Sequence, residues 1–423
     1  MLNNRFFVAL LLTIVGTFSL YAQGSAYGRF GYGELSEPAF SAGRAMGGIG
    51  YGVRDAKMLN PMNPASYSSV DSLSFLFDVG AYINTAWYKE GDNRASTFDG
   101  NINHVGAAFR LTKGLGLSFG LTPFSSVSFS HGVSGTENGI SKKEQYTGEG
   151  GLNRIYLGLG YNLFRNFSLG VDIAYLFGST TYTADAKFDG TIDDSWSYRK
   201  LKMSGVLADI GAQYTLLLDK NKSVTFGAIY SPKMSLNAKY RQVKQIGGNI
   251  VENGDTTITN MGFDYPQTIG AGITFARRNK YMVSADAQYQ QWSKARFFDN
   301  GQEWDEAGAL LRDRVRFALG GQYIPQATGR NYFGKVAYRI GAHYANSYFE
   351  RDRNNDGNFA GTKEYGISAG FGLPMPDNRS VINLSLDYIS ATPERKDFPN
   401  ERYFKITISY TMNEIWFKKY KLE

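Results

Sequence analysis

In stretch after stretch of this chain every second residue is apolar, and a period of two points to strands with two unlike faces rather than to helices. In Leu73-Phe75-Phe77-Val79-Ala81-Ile83 the interleaved Ser72, Ser74, Asp78, Gly80, Tyr82 and Asn84 are mostly small or polar. The same pattern recurs at Leu115–Leu121, Ile155–Tyr161, Phe167–Phe177, Val206–Leu216, Val224–Tyr230, Tyr281–Tyr289, Val315–Leu319, Val336–Ala342, Tyr365–Phe371, Ile382–Tyr388 and Phe404–Tyr410. Weaker alternation around Val105-Ala107-Phe109 and Ile269-Ala271-Ile273 brings the expected strands to fourteen. After the first 22 residues no apolar run approaches the 18 or so of a membrane helix.

The connections between these strands alternate in length. Short turns fall at Lys113-Gly114, Phe164-Arg165-Asn166, Asp219–Lys222, Arg277–Lys280 and Pro376–Arg379, with a somewhat longer one from Gln326 to Phe333. Long segments lie between them, at 89–101, 131–147, 183–198, 236–264, 293–312, 346–363 and 391–402. An up-and-down barrel in the outer membrane has this rhythm, with tight periplasmic turns and longer outer loops. A secreted β-sandwich has no reason to keep it. The fold class expected is therefore all-β, a transmembrane antiparallel β-barrel of about 14 strands over residues 72–412. Its apolar parity would face outer-membrane lipids and its Gly, Ser, Asp and Gln parity the lumen, because lipid cannot satisfy an open sheet edge.

Residues 1–22 carry Arg5, an apolar run from Phe6 to Leu20 and then Tyr21-Ala22. This fits a cleaved export signal, too short at about 15 apolar residues for the roughly 20 of a spanning helix. Localisation in the outer membrane of a Gram-negative cell, by way of the periplasm, is the expectation. The absence of Cys removes thiolate metal sites, disulfides and an N-terminal lipidated Cys. With only His104, His131 and His343, general bases and imidazole ligands are scarce, which weighs against an enzyme. The 45 Lys and Arg against 38 Asp and Glu give a formal +7, yet no run of like charges reads as a nucleic-acid arm, so no nucleic-acid partner is expected.

Two segments match G-x-S-x-G, Gly116–Gly120 and Gly366–Gly370. Chance in a chain with 49 Gly yields roughly 0.4 such matches, and both lie inside strands rather than at a strand-to-helix turn, so neither is read as a nucleophile elbow. No catalytic residue and no cofactor is expected, with one candidate exception. Asp352, Asn354 and Asp356, followed by Gly357, place oxygen ligands as a calcium loop does, although position twelve is Lys363 and the carboxylate Glu364 comes one residue late. A polar outer loop is the alternative.

Between the signal and the first strand, residues 23–71 lack alternation and are rich in Gly and in turn-forming residues. A flexible periplasmic leader is one reading; a plug inside a barrel wide enough to need one is the better. Gly43-Arg44-Ala45 and Asn63-Pro64-Ala65 stand within it. In these two motifs and over essentially the whole mature chain, the sequence resembles the FadL family of outer-membrane transporters for hydrophobic compounds, in a Bacteroidota-like form. The family's Gly-Arg-Ala and Asn-Pro-Ala stretches belong to an N-terminal hatch in a fourteen-stranded barrel. What the resemblance implies is a channel for a hydrophobic, fatty-acid-like small molecule, with hatch gating by Arg44, Asn63, Pro64 and Ala65. Pro123 has no N–H to give to a ladder, and a bulge that merely bends its strand is one reading; it lies in the third strand, where FadL-like barrels kink inward, so the resemblance implies a lateral opening beside it, with hatch residues near Asn63 lining the inner mouth. The alternative is a non-transporting FadL-like barrel, a scaffold or carrier subunit of an outer-membrane secretion or assembly complex. Its working surfaces would be the long loops and the basic aromatic tail, residues 413–423.

Overall fold

In a membrane-spanning sheet each backbone N–H must find a carbonyl in a neighbouring strand, and here the pairing runs full circle. The computed structural model describes residues 25–36, 38–137, 140–189, 193–299, 302–304, 310–350, 361–377, 379–395 and 398–415. A two-residue strand β1 (Glu34–Leu35) belongs to the N-terminal segment. The wall follows as β2 (Ser74–Glu90), β3 (Asn93–Thr112), β4 (Leu115–Glu137), β5 (Ile140–Phe164), β6 (Phe167–Phe188), β7 (Ser195–Leu217), β8 (Lys222–Ser231) and β9 (Met234–Ile246). It continues as β10 (Asn249–Tyr265), β11 (Gln267–Arg277) and β12 (Tyr281–Gln291). A small hairpin of β13 (Phe297–Asp299) and β14 (Gln302–Trp304) then precedes β15 (Arg314–Tyr323), β16 (Ala337–Asn346), β17 (Thr362–Pro374), β18 (Val381–Pro393) and β19 (Asn400–Ile415).

All wall neighbours are antiparallel, and β19 returns to β2 from Ile415 opposite Ser74 to Asn400 opposite Lys89. β8 and β9 are two halves of one wall strand, parted at Pro232, and β10 and β11 are halves of another, parted at Pro266. With each pair taken as one, the barrel is closed with 14 strands. Both interruptions fall on a proline, which has no N–H to give to a neighbouring strand; at Pro123 the strand itself runs on, with a shift of register against β5.

Outward positions carry the apolar parity. Leu157, Ile173, Val206, Leu319, Ile340 and Ile367 are all more than half exposed. Their inward neighbours Asp172, Ser284, Ser368 and Thr411 are buried. Exposed tyrosines close to strand ends, Tyr161 and Tyr323 on the short-turn side and Tyr289 and Tyr365 on the other, suit the two headgroup levels. No helix among the described residues is long and apolar enough to cross a membrane.

Four expectations are corrected. Most of 89–101, 131–147 and 236–264 is ladder rather than loop: β2 and β3 turn at Gly91-Asp92, β4 and β5 stay paired out to Glu137 opposite Ile140, and β9 and β10 turn at Gly247-Gly248. Beyond the bilayer neither face meets lipid, so the alternation fades while the backbone pairing goes on. At the other end the last strand passes 412 and runs to Ile415. Residues 1–22, the calcium candidates Asp352, Asn354 and Asp356, and the tail from 416 lie outside the described residues.

A charge placed on the lipid face gives the direct check. Ile340→Arg, in the middle of β16, is expected to destabilise the barrel in lipid vesicles by about 2–4 kcal/mol, read by chemical unfolding. Substitution at the turn residue Lys280 is expected to leave the transition in place.

Candidate functional site

The lumen of a fourteen-stranded barrel is too wide for wall side chains alone to fill, and here the N-terminal segment fills it. It approaches backbone to backbone because the facing wall positions are glycines. A Cβ on Gly116 of β4 would overlap the Tyr67 carbonyl oxygen, and one on Gly227 of β8 the Tyr51 carbonyl oxygen. Gly160 and Gly170 stand in the same way against Pro64, and Gly320 and Gly341 against Met46. Met46, Ile49 and Ala65 are accordingly buried.

Polar wall side chains then bind the segment's backbone. Asp286 of β12 accepts from the Gly50 and Tyr51 N–H groups at 2.6 and 2.9 Å, and Ser368 Oγ of β17 accepts from the Gly47 N–H at 2.7 Å. Arg316 of β15 donates to the Gly47 and Gly48 carbonyls, and Gln213 of β7 to those of Tyr51 and Val53. Tyr67 donates to Asp172 of β6 at 3.0 Å. Arg54 donates to the Ala65 carbonyl, Gln213 Oε1, Ser68 Oγ and Asn162 Oδ1. Burial pulls its guanidinium down to about 10, so it stays charged at neutral pH.

The residues singled out in the sequence do not converge on one point. Arg44 ends a short helix α1 (Ser41–Arg44) that packs against β18, β19 and β2. Asn63, Pro64 and Ala65 lie against β5, β6 and β7. Asn63 caps the 3-10 helix Pro64–Ser69 by accepting from the Ala65 N–H, and its amide donates to the carbonyls of Tyr51 at 2.9 Å and Ala212 at 3.2 Å. It therefore ties the segment to the wall. Ser118, from the first G-x-S-x-G match, donates to the Ala107 carbonyl within the wall, and Ser368, from the second, is the Gly47 anchor already described.

At Pro123 the wall changes. The β3–β4 ladder runs only from Thr112 opposite Leu115 to Val105 opposite Leu121, and the β4–β5 register shifts between Pro123 and Ser125. Farther out β3 pairs with β2, whereas β4 pairs with β5 and, at Ser125 and Ser126, with β1 from inside the barrel. The two wall strands diverge above Leu121. A cavity of about 90 Å³ lies behind this divergence, against Pro123, Phe124, Pro61 and Met62. Asn63 does not line it.

Above this level the lumen is packed with aromatic side chains. Tyr32 meets Phe263, Trp292 and Phe297 with ring centroids 5.2–5.8 Å apart, and Trp292 meets Tyr348 at 4.7 Å. Tyr32, Phe263 and Trp292 are at most 1% exposed. The Tyr32 hydroxyl donates to the Asp264 carbonyl, the Tyr32 N–H donates to the Tyr348 hydroxyl, and that hydroxyl donates to the Gly33 carbonyl. Sequence reading missed this layer and the wall anchors. The recurrence of Gly at lumen parity was the available signal for close backbone approach.

Solved barrels share this architecture. The chain aligns with a FadL homologue of Pseudomonas aeruginosa at a TM-score of 0.57 and 12% identity, covering 90% of this chain and 98% of that one. The Pseudomonas putida toluene transporter TodX gives 0.56 and 15%, over 89% and 98%. The CymD monoaromatic hydrocarbon channel gives 0.52 and 16%, over 90% and 98%. These likenesses establish the fold as a FadL-type outer-membrane barrel. No curated protein matches the chain. The family model BamG matches residues 1–423.

Removing one anchor is expected to loosen the plug without opening the wall. Asp286→Ala takes away the acceptor of two buried N–H groups, an expected loss of about 1–3 kcal/mol. Hydrogen exchange at Gly50 and Tyr51 is expected to rise, while exchange in β12 and β15 stays slow.

Proposed function

The chain belongs to the BamG family, and on a FadL-type barrel we propose that it acts as a plugged, protein-binding member of an outer-membrane complex, in the manner of a scaffold. The observation that carries this reading is the aromatic layer around Tyr32, Trp292 and Tyr348. An apolar ligand needs a pocket of several hundred Å³ with apolar walls. In this barrel the chain's own rings occupy apolar lumen space, and polar wall side chains hold the segment beneath them.

A second reading is favoured by one feature. The divergence of β3 and β4 beside Pro123 is where a hydrophobic small molecule would leave sideways into lipid, as in a channel for such compounds. The solved neighbours TodX and CymD are named for toluene and monoaromatic hydrocarbons, and passage of such a ligand would require the aromatic layer to open and Arg44, Asn63, Pro64 and Ala65 to shift with the hatch.

Ligand titration separates the two. Purified wild-type protein in detergent is expected to show no saturable binding of a fluorescent fatty acid. Trp292→Ala with Tyr348→Ala, which empties part of the layer, is expected to create such binding. Native electrophoresis of gently solubilised membranes is expected to place the wild type in a discrete complex larger than the barrel. A monomeric barrel with one fatty acid bound per chain would overturn the scaffold reading and favour the channel.

A further inference from the structure

The formal charge of the chain is +7, from 45 Lys and Arg against 38 Asp and Glu. At the short-turn mouth lies a cavity of about 550 Å³ lined by ten Lys or Arg and three Asp, the same surplus of seven. The rest of the chain is balanced. The cations converge from separate parts of the sequence: Lys57 on the lumen segment, Lys220 on the β7–β8 turn, Arg277 and Arg278 on the β11–β12 turn, and Arg379 after β17.

Part of this charge is met locally, by Asp219 beside Lys222, Asp377 near Arg379 and Asp55 near Arg339, and the rest faces the cavity. Asp219 faces Lys222 at 3.5 Å and accepts from the Asn221 and Lys222 N–H groups of its own turn. Asp377, beside the mouth, accepts from the Arg379 and Ser380 N–H groups. Arg54 in the floor is bonded to neutral oxygens, and Arg339 in the wall donates to the side-chain oxygens of Gln322 and Asn383. A concave site with low-dielectric walls and one sign of charge focuses its field outward.

We propose that this mouth is a docking cup for an acidic segment of a periplasmic protein, a proposal that names the partner chemistry of the scaffold reading and rests on it. The cup opens within the ring of turns, while lipid meets the outer face of the wall, so headgroups do not reach Arg54 or Lys57. Its inner end is closed by the lumen segment, so an anion that enters is held there rather than passed through. An extended acidic chain fits a deep cup with cations on several levels, and each charge pair adds attraction that salt weakens.

The test uses the full barrel in a zwitterionic detergent and a fluorescein-labelled oligo-aspartate peptide, read by anisotropy. Saturable binding at low salt, lost at high salt, is expected. Arg277→Gln with Arg278→Gln and Arg379→Gln should weaken it at least tenfold, whereas Arg277→Lys with Arg278→Lys should retain it. Lys57→Gln with Lys220→Gln provides an independent set, and heat-modified gel mobility checks that each variant has folded. Absence of saturable peptide binding, or binding unchanged in both sets of Gln variants, overturns the proposal. So does a result in which only inorganic phosphate or phosphatidylglycerol vesicles bind in a manner that depends on these residues. The synthetic peptide reads the cup alone, so a barrel that binds the peptide but forms no complex in membranes refutes the scaffold reading and not the cup.

Discussion

Lipid offers no hydrogen bonds, and from that single deficit most of this structure follows. The sheet must close, and closure at β2 and β19 sets the circumference. A circumference of fourteen strands leaves a lumen that wall side chains cannot fill, so the residues preceding the first strand are drawn inside. The wall then has two different solvents, lipid outside and polypeptide inside. Its inward parity is Gly where the segment's backbone lies close, as at Gly116 and Gly227, and Asp, Ser, Arg or Gln where that backbone needs partners, as at Asp286, Ser368, Arg316 and Gln213.

The barrel was legible in the sequence because lipid imposes alternation on strands such as Tyr281–Gln291, and because short turns such as Lys113-Gly114 separate paired strands. Legibility stopped where lipid stopped. The outer parts of β4 and β5 and the β9–β10 hairpin carry polar residues on both faces, so nothing in their pattern separates them from loop. Proline was an ambiguous signal for the same kind of reason. Pro123 stood out inside an alternating run, yet β4 runs on through it with only a shift of register against β5, whereas Pro232 and Pro266 part their strands and sit where the alternation was already failing.

The site was legible only in part. Asn63-Pro64-Ala65 is a short local device, a side-chain cap followed by a proline at the first helical position, so its residue types are recognisable in isolation. Trp292 after β12, Tyr348 after β16 and Tyr32 on the lumen segment are brought together only by the closed fold, and each alone reads as an ordinary aromatic. The basic mouth was hidden for the same reason. Lys57, Lys220, Arg278 and Arg379 are scattered through the chain, and only the ring of turns gathers them.

The lumen segment also fixes an order of events. Ser25 donates to Glu401 at the outer end of β19, and the segment then runs the depth of the barrel before β2 begins at Ser74, on the short-turn side. A strand of chain held in this way cannot be threaded through a finished cylinder, least of all past rings as tightly packed as Tyr32 and Trp292. Closing the seam between β2 and β19, which joins the first and last wall strands, after the segment is in place avoids that passage. The interior serves as the mandrel on which the sheet is wound: its anchors to β6, β7, β12, β15 and β17 hold wall strands in order along the sequence and shorten the loop left to close at the final seam.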